Sequence, residues 1–133
     1  MSDVVISSRA AEPVGPYPHA RRVGELLFLS GVGSRVRGQA AKPGEAFEVQ
    51  CRQVFANVRA ILEDSGSSWE RMVDVTVYLT HMARDFQTFN RLWLEVLPDP
   101  ATRPARTTVE ISSLPTPIDI ELKVIARVTR EGT

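Results

Sequence analysis

The sequence predicts an α+β fold in which two helices cover one face of a β-sheet. Two stretches carry apolar residues at steps of three and four, which is typical of amphipathic helices. Several short apolar or alternating runs, bounded by Gly and Pro, are typical of strands. Their order is strand, strand, helix, strand, helix, strand, strand, and two helices suffice to cover only one face of such a sheet.

The length and composition indicate one globular domain over residues 1–133. Hydrophobic residues make up 43% and charged residues 24%. The formal net charge of +0 disfavours a protein that works mainly through phosphate contacts, so we expect no nucleic-acid partner. A single cysteine, Cys51, excludes an internal disulfide. Neither a signal peptide nor an apolar run of the roughly 20 residues that cross a bilayer is found, so we expect a cytoplasmic protein with no membrane partner.

The first elements are short. The run "VVIS" at residues 4–7 predicts an opening strand. The following "EPVGPYPHA", residues 12–20, is too rich in Pro and Gly for a helix and predicts an ordered loop. The apolar "ELLFLSG", residues 25–31, predicts a buried strand that Gly31 closes.

Two helices flank a third strand. Residues 45–65 predict a helix that Gly66 ends, and its apolar face consists of Phe47, Cys51, Val54, Phe55, Val58, Ile61 and Leu62. Ser67 and Glu70 form a capping-box pattern, and residues 73–79 alternate as in a strand. Asp85 is placed to cap a second helix whose shared face comprises Phe86, Phe89, Trp93, Val96 and Leu97, before Pro98 and Pro100.

The last stretch, "PARTTVEISSLPTPIDIELKVIAR", residues 104–127, contains two alternating runs. The six-residue connection "SSLPTP" favours an antiparallel hairpin. If the apolar positions of both strands face the helices, then Arg106, Thr108 and Glu121 line the opposite face together. A polar face of this kind is expected to be shared with another subunit and to leave room for a ligand.

Six blocks in this order and spacing resemble the reactive-intermediate deaminase (RidA) family. They are "GPYPHA", "LFLSG", "VFANVRAILEDSGSSWERMVDVTVYLT", "DFQTFN", "PARTTVE" and "IDIELKVIA". The resemblance implies a chorismate-mutase-like α+β fold with a mixed β-sheet, and a homotrimer with sites at its subunit interfaces. It also implies hydrolysis of enamine and imine acids to oxo acids and ammonia, without metal or cofactor.

The resemblance also implies roles for individual residues. By matching position, Arg106 looks like the arginine that holds the substrate carboxylate, and Glu121 looks like the acid that orients water. Tyr17, Ser30 and Asn90 look like pocket residues. These residue types suit the chemistry, because a planar guanidinium fits two carboxylate oxygens and a partly desolvated carboxyl group can take a proton from water.

Departures from the commonest family pattern indicate a branch. Val32-Gly33-Ser34-Arg35 stands where many members have Gln after "SG", and Thr108 stands where many have Cys. Together with Pro18-His19, these residues are similar to the 2-aminomuconate deaminase branch of aromatic catabolism. A six-carbon dicarboxylate needs a second anion contact, for which Arg35 is the candidate.

Other interpretations remain open at this point. Arg106 can be an ordinary surface or ion-pair arginine, and Glu121 can pair with Lys123 or Arg127. Tyr17 and Ser30 can be structural, and Asn90 can be a buried structural amide. The alternative functions are a general deaminase of 2-iminopropionate and 2-aminoacrylate, and a non-catalytic trimer that binds small carboxylates or acts as a chaperone. His19 and His81 lack ligand spacing, so no metal site is predicted.

Overall fold

The computed structural model describes residues 3–128 and shows two helices packed on a mixed six-stranded sheet. The strands are β1 (Val4–Val5), β2 (Ala20–Val23), β3 (Leu26–Leu29), β4 (Met72–Leu79), β5 (Ala105–Glu110) and β6 (Ile120–Arg127). The helices are α1 (Phe47–Asp64) and α2 (Met82–Val96), and 3₁₀ turns lie at Trp69–Arg71 and Pro100–Thr102. The fold class predicted from the sequence is confirmed.

The sheet has the order β1-β2-β3-β6-β4-β5. Only β4 and β5 are parallel, and α2 provides the crossover connection that a parallel pair requires. The sequence did not predict β2, because its residues Arg21 and Arg22 give no apolar signal. β2 pairs with β3, and the turn between the two strands lies at Gly24, where φ is +60°.

The predicted hairpin between the last two strands is wrong. β5 pairs with β4 in parallel, and β6 lies between β3 and β4. The chain does reverse direction between Glu110 and Ile120, but β4 lies between the two strands, so that Leu79 is in register with both of these residues. The connection is long enough to pass one strand, a distance of about 10 Å.

The core lies between the helices and one face of the sheet. Leu122, Val124 and Ala126 of the central strand β6 are fully buried there. Phe55 joins Trp69, Phe89 and Trp93 in an aromatic cluster with ring centroids 5.4–6.1 Å apart. Such pairs add about 0.5–1.5 kcal/mol each beyond burial, and the cluster fixes α2 against α1.

Both predicted helix caps are wrong. Asp85 is buried inside α2 and accepts two bonds from Arg84, while Glu110 accepts the N–H of Met82 at the helix start (3.0 Å). The hydroxyl of Ser67 donates to the carbonyl of Arg127 (2.5 Å) instead of capping a helix. At α2 a residue distant in the chain thus supplies the cap that the local pattern assigned to Asp85, whereas the 3₁₀ turn after Ser67 has no side-chain cap.

Candidate active site

Four of the predicted site residues line one pocket, which we call the Glu121 pocket. Tyr17, Ser30, Arg35 and Glu121 surround a cavity of ≈ 60 Å³ together with the backbone of Gly31. A volume of this size has room for more than one water molecule. The loops around Tyr17 and after β3 thus come together beside the start of β6.

Glu121 forms no ion pair in this pocket, although Arg35 also lines it. Its side chain is half-buried and makes no hydrogen bond or ion pair with any residue between positions 3 and 128. The predicted alternative of pairing with Lys123 or Arg127 is therefore not realised; Lys123 donates instead to the carbonyl of Leu29. Desolvation raises the pKa of the Glu121 carboxyl group, because burial penalises its charged form.

Gly31 provides the space that Glu121 occupies. A Cβ atom at position 31 would lie 2.6 Å from Oε2 and 3.2 Å from Oε1 of Glu121. Only a residue without a side chain allows the carboxylate to lie this close to the main chain. From the sequence, Gly31 was predicted only to end a strand.

Tyr17 and Ser30 are held by local contacts. The Tyr17 ring lies against Gly15, where a Cβ atom would come within 2.9 Å of the ring. Ser30 donates its hydroxyl to the carbonyl of Pro18 (2.7 Å), and its N–H bonds to the carbonyl of His19 (3.0 Å). The Ser30 oxygen keeps its lone pairs available to accept a hydrogen bond from a ligand.

Arg106 lies in a second group, the Arg106 cluster, formed with Asn90, Phe86, Phe89 and Trp93 of α2. One terminal nitrogen of Arg106 donates to Oδ1 of Asn90 (2.6 Å). The guanidinium carbon lies 5.1 Å from the Phe89 ring centroid and 5.8–5.9 Å from those of Trp93 and Phe86. The aromatic rings hold the cation by cation–π attraction, a contact that the sequence analysis did not predict.

The guanidinium of Arg106 also lacks an ion-pair partner in the described part of the chain. It is therefore not the ordinary ion-paired arginine of the alternative interpretation. Desolvation lowers its pKa, which reflects a charge withdrawn from water without compensation. Asn90 is exposed, so it is not the buried structural amide considered above. An anionic ligand would neutralise this site.

The expectation that Arg106, Thr108 and Glu121 share a sheet face is wrong within one chain. Arg106 and Thr108 are in register with Val75 and Val77, which are buried beneath the helices. Glu121 is in register with Tyr78, and residues 75 and 78 of one strand point to opposite faces. Within one chain, Arg106 and Glu121 thus lie on opposite faces of the sheet.

The helix-free face of the sheet carries apolar side chains among polar ones. Phe28 and Ile125 are half-buried neighbours on adjacent strands, and Tyr78 is half-buried further along β4. The exposed edge strand β5 adds Val109, which is in register with Tyr78. Thr76 and Lys123 lie between the two apolar groups, so the face is mixed in character.

The cysteine and the potential metal ligands of the described chain form no further candidate site. Cys51 is fully buried on α1, and burial raises the pKa of its thiol. Within residues 3–128, no three His, Cys, Asp or Glu side chains come together as metal ligands. No helix in that range has the length and apolar character needed to span a bilayer.

The described residues define a small α+β protein with one pocket around Glu121 and a separate arginine that forms no ion pair. The chain belongs to the Endoribonuclease L-PSP family, whose model matches residues 7–128. It is 37% identical over 119 residues to a RutC family protein of Aquifex aeolicus, covering 89% of this chain and 93% of that protein. It is 35% identical over 124 residues to Reactive Intermediate Deaminase A, chloroplastic, of Arabidopsis thaliana, covering 93% and 65%.

Solved structures show the same fold. The structure of yeast Mmf1 has a TM-score of 0.87 at 29% identity, covering 95% of this chain and 98% of that chain. That of E. coli TdcF with bound serine has a TM-score of 0.85 at 28% identity, with the same coverage. The family and fold implied by the resemblance are thus confirmed.

Proposed function

We propose that this chain is a cofactor-independent deaminase that hydrolyses enamine and imine carboxylic acids to oxo acids and ammonia, with 2-aminomuconate as its substrate. The observation that carries the proposal is the pair of uncompensated groups. The guanidinium of Arg106 and the carboxyl group of Glu121 are each partly buried, and neither forms an ion pair in the described chain. The deaminase name of the Arabidopsis relative and the serine bound to TdcF support this class of ligand.

We propose further that the active protein is a homotrimer, with Arg106 of one subunit facing the Glu121 pocket of its neighbour. Both groups are needed for one carboxylate-bearing imine, yet they lie on opposite faces of the sheet in one chain. The helix-free face, with Phe28, Tyr78, Ile125 and Val109, provides the contact surface, and closed symmetry repeats the same site at each interface.

The reaction follows from the chemistry of the groups. Arg106, held by Asn90 (2.6 Å), binds the substrate carboxylate with its planar fork. An enamine gains a proton on carbon to give the iminium ion. Water then adds to the iminium carbon while Glu121 accepts its proton. Proton transfer to nitrogen and collapse of the tetrahedral carbinolamine release ammonia and leave the oxo acid.

The partly buried position of Glu121 suits it to the role of general base. Its raised pKa makes it a stronger base once ionised than a solvated glutamate. Tyr17, Ser30 and Thr108 are the candidates for hydrogen bonds to the substrate. Arg35, which also lines the Glu121 pocket, is the candidate for the distal carboxylate of 2-aminomuconate.

Ammonia release with freshly generated 2-aminomuconate and 2-iminopropionate tests the proposal. The wild type should release ammonia, and both Arg106→Ala and Glu121→Ala should be strongly impaired. Turnover of 2-iminopropionate alone would indicate the general deaminase, and turnover of neither would indicate the binding role. Arg35→Ala should impair the dicarboxylate far more than the monocarboxylate.

Mixed assemblies test whether two subunits form the site. Arg106→Ala and Glu121→Ala chains are each inactive in this scheme, but co-refolding them produces interfaces that have both intact groups. Random mixing of equal amounts should restore about a quarter of wild-type activity, since one interface in about four combines the two intact sides. Co-refolded mixtures without any recovery would contradict an interfacial site.

A further inference from the structure

The loop of residues 31–35 forms one wall of the Glu121 pocket and is outside the named strands. Its start is fixed by an isolated bridge in which Val32 and Leu122 exchange backbone hydrogen bonds of 2.8 and 2.9 Å. Leu122 follows Glu121 directly in β6. The start of the loop is therefore held in register with the proposed catalytic acid.

The other end of the loop is fixed by a side chain of α1. Asn57 is 3% exposed, and its Nδ2 atom donates to the carbonyls of Gly33 (3.0 Å) and Arg35 (2.8 Å). Its Oδ1 atom accepts from Gln53 (3.1 Å). Both donor hydrogens of the amide are thus used on the loop backbone, and the sequence analysis assigned this residue no role.

Arg35 depends on this support. Its guanidinium contacts the backbone carbonyls of Glu12 and Gln39, and no carboxylate forms an ion pair with it in residues 3–128. A guanidinium has five N–H donors, so donors remain for a ligand. Because the Arg35 carbonyl is bound to Asn57, the position of the Arg35 backbone is set from α1.

We propose that Asn57 is a positioning residue that holds Arg35 in the wall of the Glu121 pocket and thereby sets the preference for ligands with a second carboxylate. The choice of ligand class rests on the proposed function. The positioning role acts on the place of the Arg35 guanidinium, so it affects ligands that have a second carboxylate for this group to bind. A short monocarboxylate has no second carboxylate and should be insensitive to Asn57.

A double-mutant cycle in binding tests this inference without requiring turnover. Calorimetry would measure the affinity of muconate, an unreactive six-carbon dicarboxylate, and of propionate, a short monocarboxylate. The proteins are the wild type, Asn57→Leu, Arg35→Ala and the double variant. Gln53→Ala is the matched control, because it removes the neighbouring hydrogen bond but leaves both bonds from Asn57 to the loop.

We expect each single variant to bind muconate about tenfold more weakly, since a displaced anchor of about 1 Å loses much of its interaction. The double variant should bind about as weakly as either single one, because the two residues act through one contact. Propionate affinity and the Gln53→Ala control should change less than about twofold. If Asn57→Leu does not fold, as judged by circular dichroism, Asn57→Ser replaces it throughout the cycle.

The inference is overturned if the double variant loses muconate affinity by the product of the two single losses. It is also overturned if propionate loses as much affinity as muconate, or if the wild type binds muconate no more tightly than Arg35→Ala does. Ammonia release measured on the same proteins separates this inference from the proposed function. Turnover of 2-iminopropionate without an Asn57-dependent muconate affinity contradicts only the inference. Asn57-dependent muconate binding without any turnover contradicts only the deaminase proposal.

Discussion

The main chain of Gly31 lies against the carboxylate of Glu121 so closely that an added Cβ atom would come within 2.6 Å of Oε2. The carboxylate is the free end of the flexible Glu121 side chain, so an added Cβ atom at position 31 would displace it while the fold remained intact. The absence of a side chain at Gly31 therefore sets the position of the proposed base.

Gly31→Ala should therefore reduce activity without unfolding the protein. We expect kcat/KM to fall about tenfold or more, because the carboxylate leaves its position relative to the substrate, while stability changes by less than about 1 kcal/mol. Gly33→Ala is the matched control in the same loop, since its Cβ atom would meet Cδ1 of Ile118 instead (2.6 Å). Steady-state kinetics and chemical denaturation measure the two effects, and equal losses in both variants would contradict the prediction.

Arg106→Lys should impair substrate binding although it keeps the positive charge. Lysine lacks the planar fork and the stacking that place the guanidinium among Phe86, Phe89 and Trp93. We expect kcat/KM to fall by about 10- to 100-fold, mainly through KM. Arg91→Lys, which alters an exposed arginine paired with Glu48, is the control and should be neutral. Unchanged kinetics in Arg106→Lys would show that charge alone suffices.

The raised pKa of Glu121 predicts the direction in which the stability of the protein changes with pH. Burial raises its folded-state pKa, so the folded protein binds the proton more tightly than the unfolded chain. Its contribution to stability is thus present below the ordinary glutamate pKa and is lost as pH rises through the raised value. Glu121→Gln should become more stable relative to the wild type over that rise, as denaturation at a series of pH values would show.

The Glu121 carboxyl group should also set the acidic limb of the pH profile of kcat/KM. As a base it works only when ionised, so kcat/KM should increase with pH through a pKa above that of a solvated glutamate. A pH profile of imine hydrolysis measures this value. An acidic limb at or below about pH 4.3, the ordinary glutamate pKa, would argue against Glu121 as the base.

Cys51 should be inert in the folded protein. Its thiol is fully buried on α1 and its pKa is raised by desolvation, so the reactive thiolate is disfavoured. A thiol-specific chromogenic reagent should label native protein very slowly and guanidinium-unfolded protein completely. Cys51→Ala should keep full activity, and rapid native labelling would mean that α1 opens readily.

Much of the fold was predictable because it depends on local patterns. The steps of three and four in α1 and the alternation in β4 and β6 reflect burial of one face, which the residues themselves specify. The strand β2 was missed because its charged residues Arg21 and Arg22 pair through the backbone, which leaves no apolar signature. The two helix caps were misassigned because Ser67 bonds to the distant carbonyl of Arg127, while Asp85 lies inside α2 and bonds to its neighbour Arg84.

The sequence indicated candidate site residues but not their arrangement. Tyr17, Ser30, Arg35 and Glu121 line one pocket. Arg106 and Asn90 lie together elsewhere, because the parallel register of β5 with β4 turns Arg106 toward the helices, opposite to the face that the hairpin prediction gave it. Strand order depends on which surfaces pack best over long distances in the chain, and short patterns carry little information about it.

The amino-acid sequence by itself determined the helices, most strands, the family and the chemically distinctive side chains, since each follows from residue type and spacing. Only the tertiary structure decided which residues face each other: Gly31 against Glu121, Asn57 beneath Arg35, and Arg106 among the rings of α2. These contacts join residues distant in the chain, and their geometry results from packing of the whole sheet against two helices.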